Sequence, residues 1–66
     1  MRQELSPREL EIVRLVAQGK TNKEIALEMT VAPSTVKDYL ANACHKVGVT
    51  NRTALTAWWV RQAAAE

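Results

Sequence analysis

The sequence predicts an all-α fold of four packed helices, and three observations predict it. Apolar residues recur at spacings of three and four in four separate segments, the period of a helix buried on one side. Each segment opens on a capping residue or a proline, and two of them close on a glycine. No stretch alternates apolar and polar residues as a strand would, no internal repeat is present, and low complexity is confined to the Ala63–Ala65 tail. The expected helices cover residues 7–18, 22–29, 33–47 and 51–63.

After a short lead-in from Met1 to Leu5, Ser6-Pro7-Arg8-Glu9 marks the first helix start. Ser6 can accept from the amide of residue 9, Pro7 suits the first helical position, and Glu9 can reach back to close a capping box. Ile12, Val13, Leu15 and Val16 then span a wide arc, so this helix should be packed by more than one neighbour, and Gly19 should stop it in a left-handed conformation. Thr21-Asn22-Lys23-Glu24 repeats the capping pattern. It opens a short helix in which Ile25 and Met29 share a face beside Ala26, a residue small enough to let another helix cross closely. Thr30 to Ala32 make the turn, Pro33 starts the third helix, and Gly48 ends it after Val47. Thr50 or Asn51 can cap the fourth helix, which carries Leu55, Trp58, Trp59 and Val60 around a broad part of its circumference.

With 66 residues the chain makes one domain. A chain of that size buries only about 60% of its unfolded surface, which leaves no room for an enzyme cleft. The single cysteine, Cys44, excludes an internal disulfide and a multi-cysteine zinc site, and it suits a reducing, cytoplasmic setting. No signal peptide or membrane span is legible, so no membrane partner is expected. The net charge of +2 is mild, but its distribution is uneven. From Val31 onward the acids are Asp38 and Glu66, against Lys37, Lys46, Arg52 and Arg61, whereas Arg2 and Arg8 at the start are set among Glu4, Glu9 and Glu11. Attraction to phosphate is therefore concentrated in the later half.

The stretch from Thr21 to Val47 reads as two helices across a sharp turn, with apolar residues at Ile25, Met29, Val31, Val36 and Tyr39 to hold them together. On the third helix Val36, Leu40, Ala43 and Val47 fall in one narrow arc, while Ser34, Lys37, Asp38, Ala41 and His45 gather opposite. Small residues interleaved with hydrogen-bonding ones let a helix approach closely and still offer donors and acceptors. That combination suits the floor of a DNA major groove.

Three pieces in this order, LSPRELEIVRLVAQGKTNKEIA, then STVK, then NACHKVGVTNRT, resemble the LuxR/NarL/GerE-type helix-turn-helix domain of bacterial transcription regulators over nearly the whole chain. The resemblance implies four helices, the third entering the major groove and the fourth forming a two-fold dimer contact. It implies that Lys37 lies against DNA with Thr35 near the phosphates, and that Asp38, Ala41 and Asn42 occupy the positions that set sequence preference. Asn22 and Lys23 at the second helix start, and Asn51 and Arg52 at the fourth, take places from which the family touches the DNA backbone, and free amides at helix starts favour phosphate. His45 stands near a basic position of the family and Lys46 beside it, both toward phosphate. Asp38 replaces the neutral or basic residue of many members; its carboxylate repels phosphate but can accept from a cytosine amine. The fourth-helix dimer contact of the family falls on Leu55, Trp58, Trp59 and Arg52; Leu55 and Trp59 replace residues that are small in the family, which changes how closely another helix can approach. The resemblance also implies an upstream receiver or sensor domain and contact with RNA polymerase.

Each of these residues has a plainer competing role. Lys37 can be a solvated lysine, Ser34 and Thr35 can bond free amides of their own first turn, Asn42 can bridge helices, and Ala41 can be filler. Cys44 and His45 are adjacent and so point about 100° apart on a helix, which argues against a shared metal or nucleophilic role. Cys44 reads as a small apolar residue at the core margin. Of the two tryptophans, one should complete the core and the other cover surface or meet a partner. The expected function is sequence-specific binding of double-stranded DNA for transcription regulation, with no cofactor, as a homodimer on half-sites about 10 base pairs apart or a multiple of that. The alternatives are the promoter-binding end of a sigma factor, or a protein-interaction module built on the Trp58/Trp59 helix.

Overall fold

A computed structural model describes residues 4–65, so Met1 to Gln3 of the lead-in, with Arg2, and Glu66 lie outside the described residues. The described residues form helices α1 (Pro7–Ala17), α2 (Asn22–Met29), α3 (Pro33–Val47) and α4 (Arg52–Ala65), and no strand.

The helix boundaries follow from local chemistry. The Glu9 amide donates to Ser6 Oγ (3.2 Å) and the Ser6 amide to Glu9 Oε1 (2.8 Å), closing the first capping box. Thr21 and Glu24 close the second in the same way (3.1 and 2.8 Å). At the far end of α1, the Lys20 amide reaches the Leu15 carbonyl (3.3 Å) and the Gly19 amide the Val16 carbonyl (2.9 Å). That arrangement needs Gly19 at φ 86°, and α1 therefore ends one residue earlier than expected. Asn51 is the α4 cap: its Oδ1 accepts from the Ala54 amide at 2.8 Å, so Asn51 stays outside the helix, which starts at Arg52 and runs two residues past the expected end.

Two apolar clusters share α1. Ile12, Leu15 and Val16 pack with Ile25, Ala26, Met29 and Val36, supported by Val31, Tyr39 and Leu40. Val13 turns the other way, to Ala43 and Leu55, with Leu5, Cys44, Val47, Val49 and both tryptophans around them. The wide apolar arc of α1 is thus explained by α2 and α3 on one side and α3 and α4 on the other, with Leu40 touching both clusters. Full burial of each large aliphatic side chain contributes about 1.5–3 kcal/mol, and Ile12, Leu15, Ile25 and Leu55 are all fully enclosed.

The turn between α2 and α3 rests on Thr30, at φ 59° and ψ 48°. The Val31 amide donates to the Ala26 carbonyl (3.0 Å), so the left-handed residue sends the chain sharply away from α2. A β-branched residue is costly there. The turn's geometry is held by packing on either side, since Met29 and Val31 both belong to the first cluster.

Candidate nucleic-acid interface

With Val36 and Ala43 enclosed and Leu40 and Val47 half-buried, α3 can turn only its other side outward. Ser34, Lys37, Asp38, Ala41, Asn42 and His45 are exposed along it, and Thr35 is half-buried. Ala32 at the N-cap makes no side-chain hydrogen bond to the first turn of α3. The Ser34 amide is therefore left without a side-chain cap at the end that carries Lys37.

One concavity borders this face, and a second lies beyond it at the starts of α2 and α4. The first, of about 620 Å³, is lined by Lys37, Ala41, His45, Thr50, Asn51 and Arg52 over a floor of Leu40, Cys44 and Val49. The other, of about 370 Å³, is lined by Gly19, Lys20, Thr21, Asn22 and Arg52. Arg52 stands on the rim of both, donating to Asn22 Oδ1 (2.6 Å) and to the Lys20 carbonyl (2.5 Å). The starts of α2 and α4, expected to serve one purpose, are thereby tied together although they lie thirty residues apart in the chain. Lys23 is exposed on the first turn of α2.

The ion pairs separate the cations. Among the described residues Lys20 pairs with Glu28 at 3.5 Å and Lys46 with Glu9 at 2.9 Å. Lys23 and Lys37 have no carboxylate partner there. Lys46 departs from expectation: its ammonium is turned toward α1 and matched by a carboxylate, since a buried charge without a counter-charge is costly. Glu9 is 4% exposed, and burial by itself would raise its pKa. The hydrogen bonds from Lys46 and Ser6 and the Lys46 charge together outweigh that penalty and hold the carboxyl below its usual value.

The expected dimer residues also depart from expectation. Leu55 is 0% exposed, its extra bulk filling the space between Val13 and Ala43, so it has no surface to offer a partner. Trp58 and Trp59 are both half-buried against the same cluster. Adjacent residues can share a core here because Leu55, Trp58 and Trp59 stand at i, i+3 and i+4, one tryptophan on each side of the Leu55 direction. The side of α4 that is open carries Thr53, Ala57, Val60 and Ala64, with Val60 56% exposed.

Cys44 is half-buried, and burial pushes its thiol pKa up, which suppresses the reactive thiolate. No group of three or more His, Cys, Asp or Glu side chains that could hold a metal occurs among the described residues, and no described helix is long and apolar enough to cross a membrane. Sequence reasoning missed Lys20 and Thr50 as lining residues and Glu9 as the partner of Lys46. Glu9 carried the sequence signal of a cap alone, and nothing in a separation of 37 residues announces an ion pair.

Comparison with known proteins adds relatives to this geometry. Residues 3–59 match the GerE family model, described as bacterial regulatory proteins, luxR family. The chain is similar to the transcriptional regulatory protein LiaR of Bacillus subtilis, 49% identical over 49 residues, which are 74% of this chain and 23% of that protein. It is also similar to the spore germination protein GerE of the same organism, 43% identical over 49 residues, 74% of this chain and 66% of that protein. Among solved structures, that of the response regulator ChrA of a heme-sensing two-component system superposes with a TM-score of 0.85 at 39% identity, over 94% of this chain and 31% of that one. The chain thus spans about a quarter of LiaR and about two thirds of GerE.

Proposed function

Because the chain belongs to the luxR family of bacterial regulatory proteins, we propose that it binds double-stranded DNA sequence-specifically to regulate transcription, with α3 as the helix that reads the major groove. The observation that carries this reading is the exposed face of α3, where Ser34, Lys37, Asp38, Ala41, Asn42 and His45 project from a helix whose other side is locked in the core. Lys37 has no internal counter-charge among the described residues and is the residue most available to DNA. Asp38, Ala41 and Asn42 beside it select bases, Asp38 by accepting from a cytosine amine. Ser34, Thr35, His45, Lys23, Asn22, Asn51 and Arg52 border the face and meet the backbone, with Asn22 and Arg52 doing so from a shared hydrogen bond.

The domain works as a homodimer on paired half-sites, and the outward side of α4, Ala57, Val60 and Ala64, is the contact. Small side chains allow two such helices to approach closely, and Val60 supplies the apolar area that water otherwise covers. An upstream receiver or sensor domain would control the pairing, as the response regulator among the similar structures suggests, and RNA polymerase is the downstream partner. Cytoplasmic location follows from that role.

Replacing Lys37 with alanine tests the central assignment. Lys37→Ala should weaken binding to a duplex selected by this chain from a random pool by about 1–3 kcal/mol, with an unchanged melting curve. An unaltered gel-shift titration would sink it. A salt series separates this reading from the protein-interaction alternative, because DNA binding should fall steeply with added salt and an aromatic-driven protein contact should not. The packing of both half-buried tryptophans against the core reduces the surface that alternative would use.

A further inference from the structure

We propose that the Glu9–Lys46 pair is a positioning device for the DNA-reading helix, and that Lys46 acts on DNA through this pair without touching phosphate. The inference rests on the assignment of α3 as the reading helix. Lys46 lies in the last turn of α3, and its Nζ donates to Glu9 Oε1 at 2.9 Å. The Glu9 side chain is 6% exposed and that of Lys46 28%, so the pair sits largely out of water. The carboxylate does not hang on a free side chain: the same oxygen accepts from the Ser6 amide at 2.8 Å, and Ser6 Oγ accepts in turn from the Glu9 amide. The first turn of α1 therefore presents a fixed anion, and α3 is fastened to it at its C-terminal end.

The consequence is geometric. A helix of 15 residues is about 22 Å long at about 1.5 Å per residue. A tilt of about 5° about its fastened end moves its start by about 2 Å, more than the tolerance of a base-edge hydrogen bond. Lys37 and Asp38 lie in the half of α3 toward that moving end, where the displacement is about 1 Å. Drawing Lys46 away to a phosphate would leave Glu9 buried without a counter-charge, a penalty of about 100-fold or more in the equilibrium constant, against the gain of one exposed phosphate contact. Lys37 and Lys23 have no such partner among the described residues, so their release to phosphate strands no carboxylate.

The test separates positioning from contact by salt dependence. Lys46→Met alone strands a buried carboxylate and loosens the fold, so the informative protein is the double variant Glu9→Gln/Lys46→Met. In it the side-chain amide oxygen introduced at position 9 can still accept from the Ser6 amide, and both charges are gone. Binding is measured across a salt series on the duplex selected by the native chain and on a random duplex of equal length. The double variant should lose about tenfold of its preference for the selected duplex while the slope of log K against log salt stays unchanged on both. A slope shallower by about 0.9 would mean that Lys46 touches phosphate, and an unchanged preference would mean that the pair does not position the helix; either overturns the proposal. If the native chain shows no salt-dependent binding to either duplex, the DNA-reading assignment falls and the proposal with it.

Discussion

Helices α3 and α4 pack against each other and against α1, and each buries a stripe of the same helical spacing, Val36, Leu40, Ala43 and Val47 on one and Leu55, Trp58 and Trp59 on the other. Their outward sides differ. That of α3 carries hydroxyl, ammonium, carboxylate, amide and imidazole groups; that of α4 is centred on Ala57, Val60 and Ala64, with Thr53 and Arg61 beside them. Their beginnings differ too, since Asn51 caps α4 while Ala32 offers α3 no side-chain cap. A capped helix start satisfies its own amides, whereas an uncapped one leaves them open to an anion such as phosphate, so the proposed roles of the two helices make opposite demands on their first turns.

The largest effect that tests this contrast is expected on the inward side of α4. Leu55→Ala should cost about 2–5 kcal/mol in a thermal or urea melt, because the cavity opens between α1 and α3. A loss below about 1 kcal/mol would return Leu55 to the surface and restore the dimer role expected from sequence. Next in size is the cap. Asn51→Ala should cost about 1 kcal/mol, and Ala32→Asp should stabilise by a similar amount while weakening DNA binding through repulsion at the start of α3. If Ala32→Asp leaves DNA affinity unchanged, the open helix start plays no part in recognition.

Smaller still is the expected stability change at Val60. Val60→Asp should shift the melt by no more than about 0.5 kcal/mol, as an exposed substitution does, yet reduce binding to paired half-sites relative to a single half-site. Equal binding to both by the variant and the native chain would remove the outward side of α4 from the dimer contact. The least conspicuous effect is the pH dependence that Glu9 adds. Its folded pKa lies below the ordinary carboxylate value, so its contribution is fully present above that value and disappears as pH falls through the folded one. Melts stepped from neutral to acid should therefore fall less steeply for Glu9→Gln than for the native chain, although Glu24, lowered by its hydrogen bonds with Thr21, keeps part of the acid limb.

The sequence by itself determined the four helices, both capping boxes, the glycine stops and the outward face of α3. These depend mostly on residues within four positions of one another, and local spacing encodes them to within one or two residues at the helix ends. Lys46 looked like a phosphate ligand because a cation's partner across the fold leaves no mark in local spacing; the tertiary structure gave Lys46 to Glu9, and it joined Arg52 to Asn22 and the Lys20 carbonyl without giving it a counter-charge. Leu55, Trp58 and Trp59 looked like a surface excess because periodicity tells how wide an apolar arc is but not how many neighbours close over it. Only the packing of α1 and α3 around α4 decided that this arc is core, and left the opposite side, with Val60, exposed.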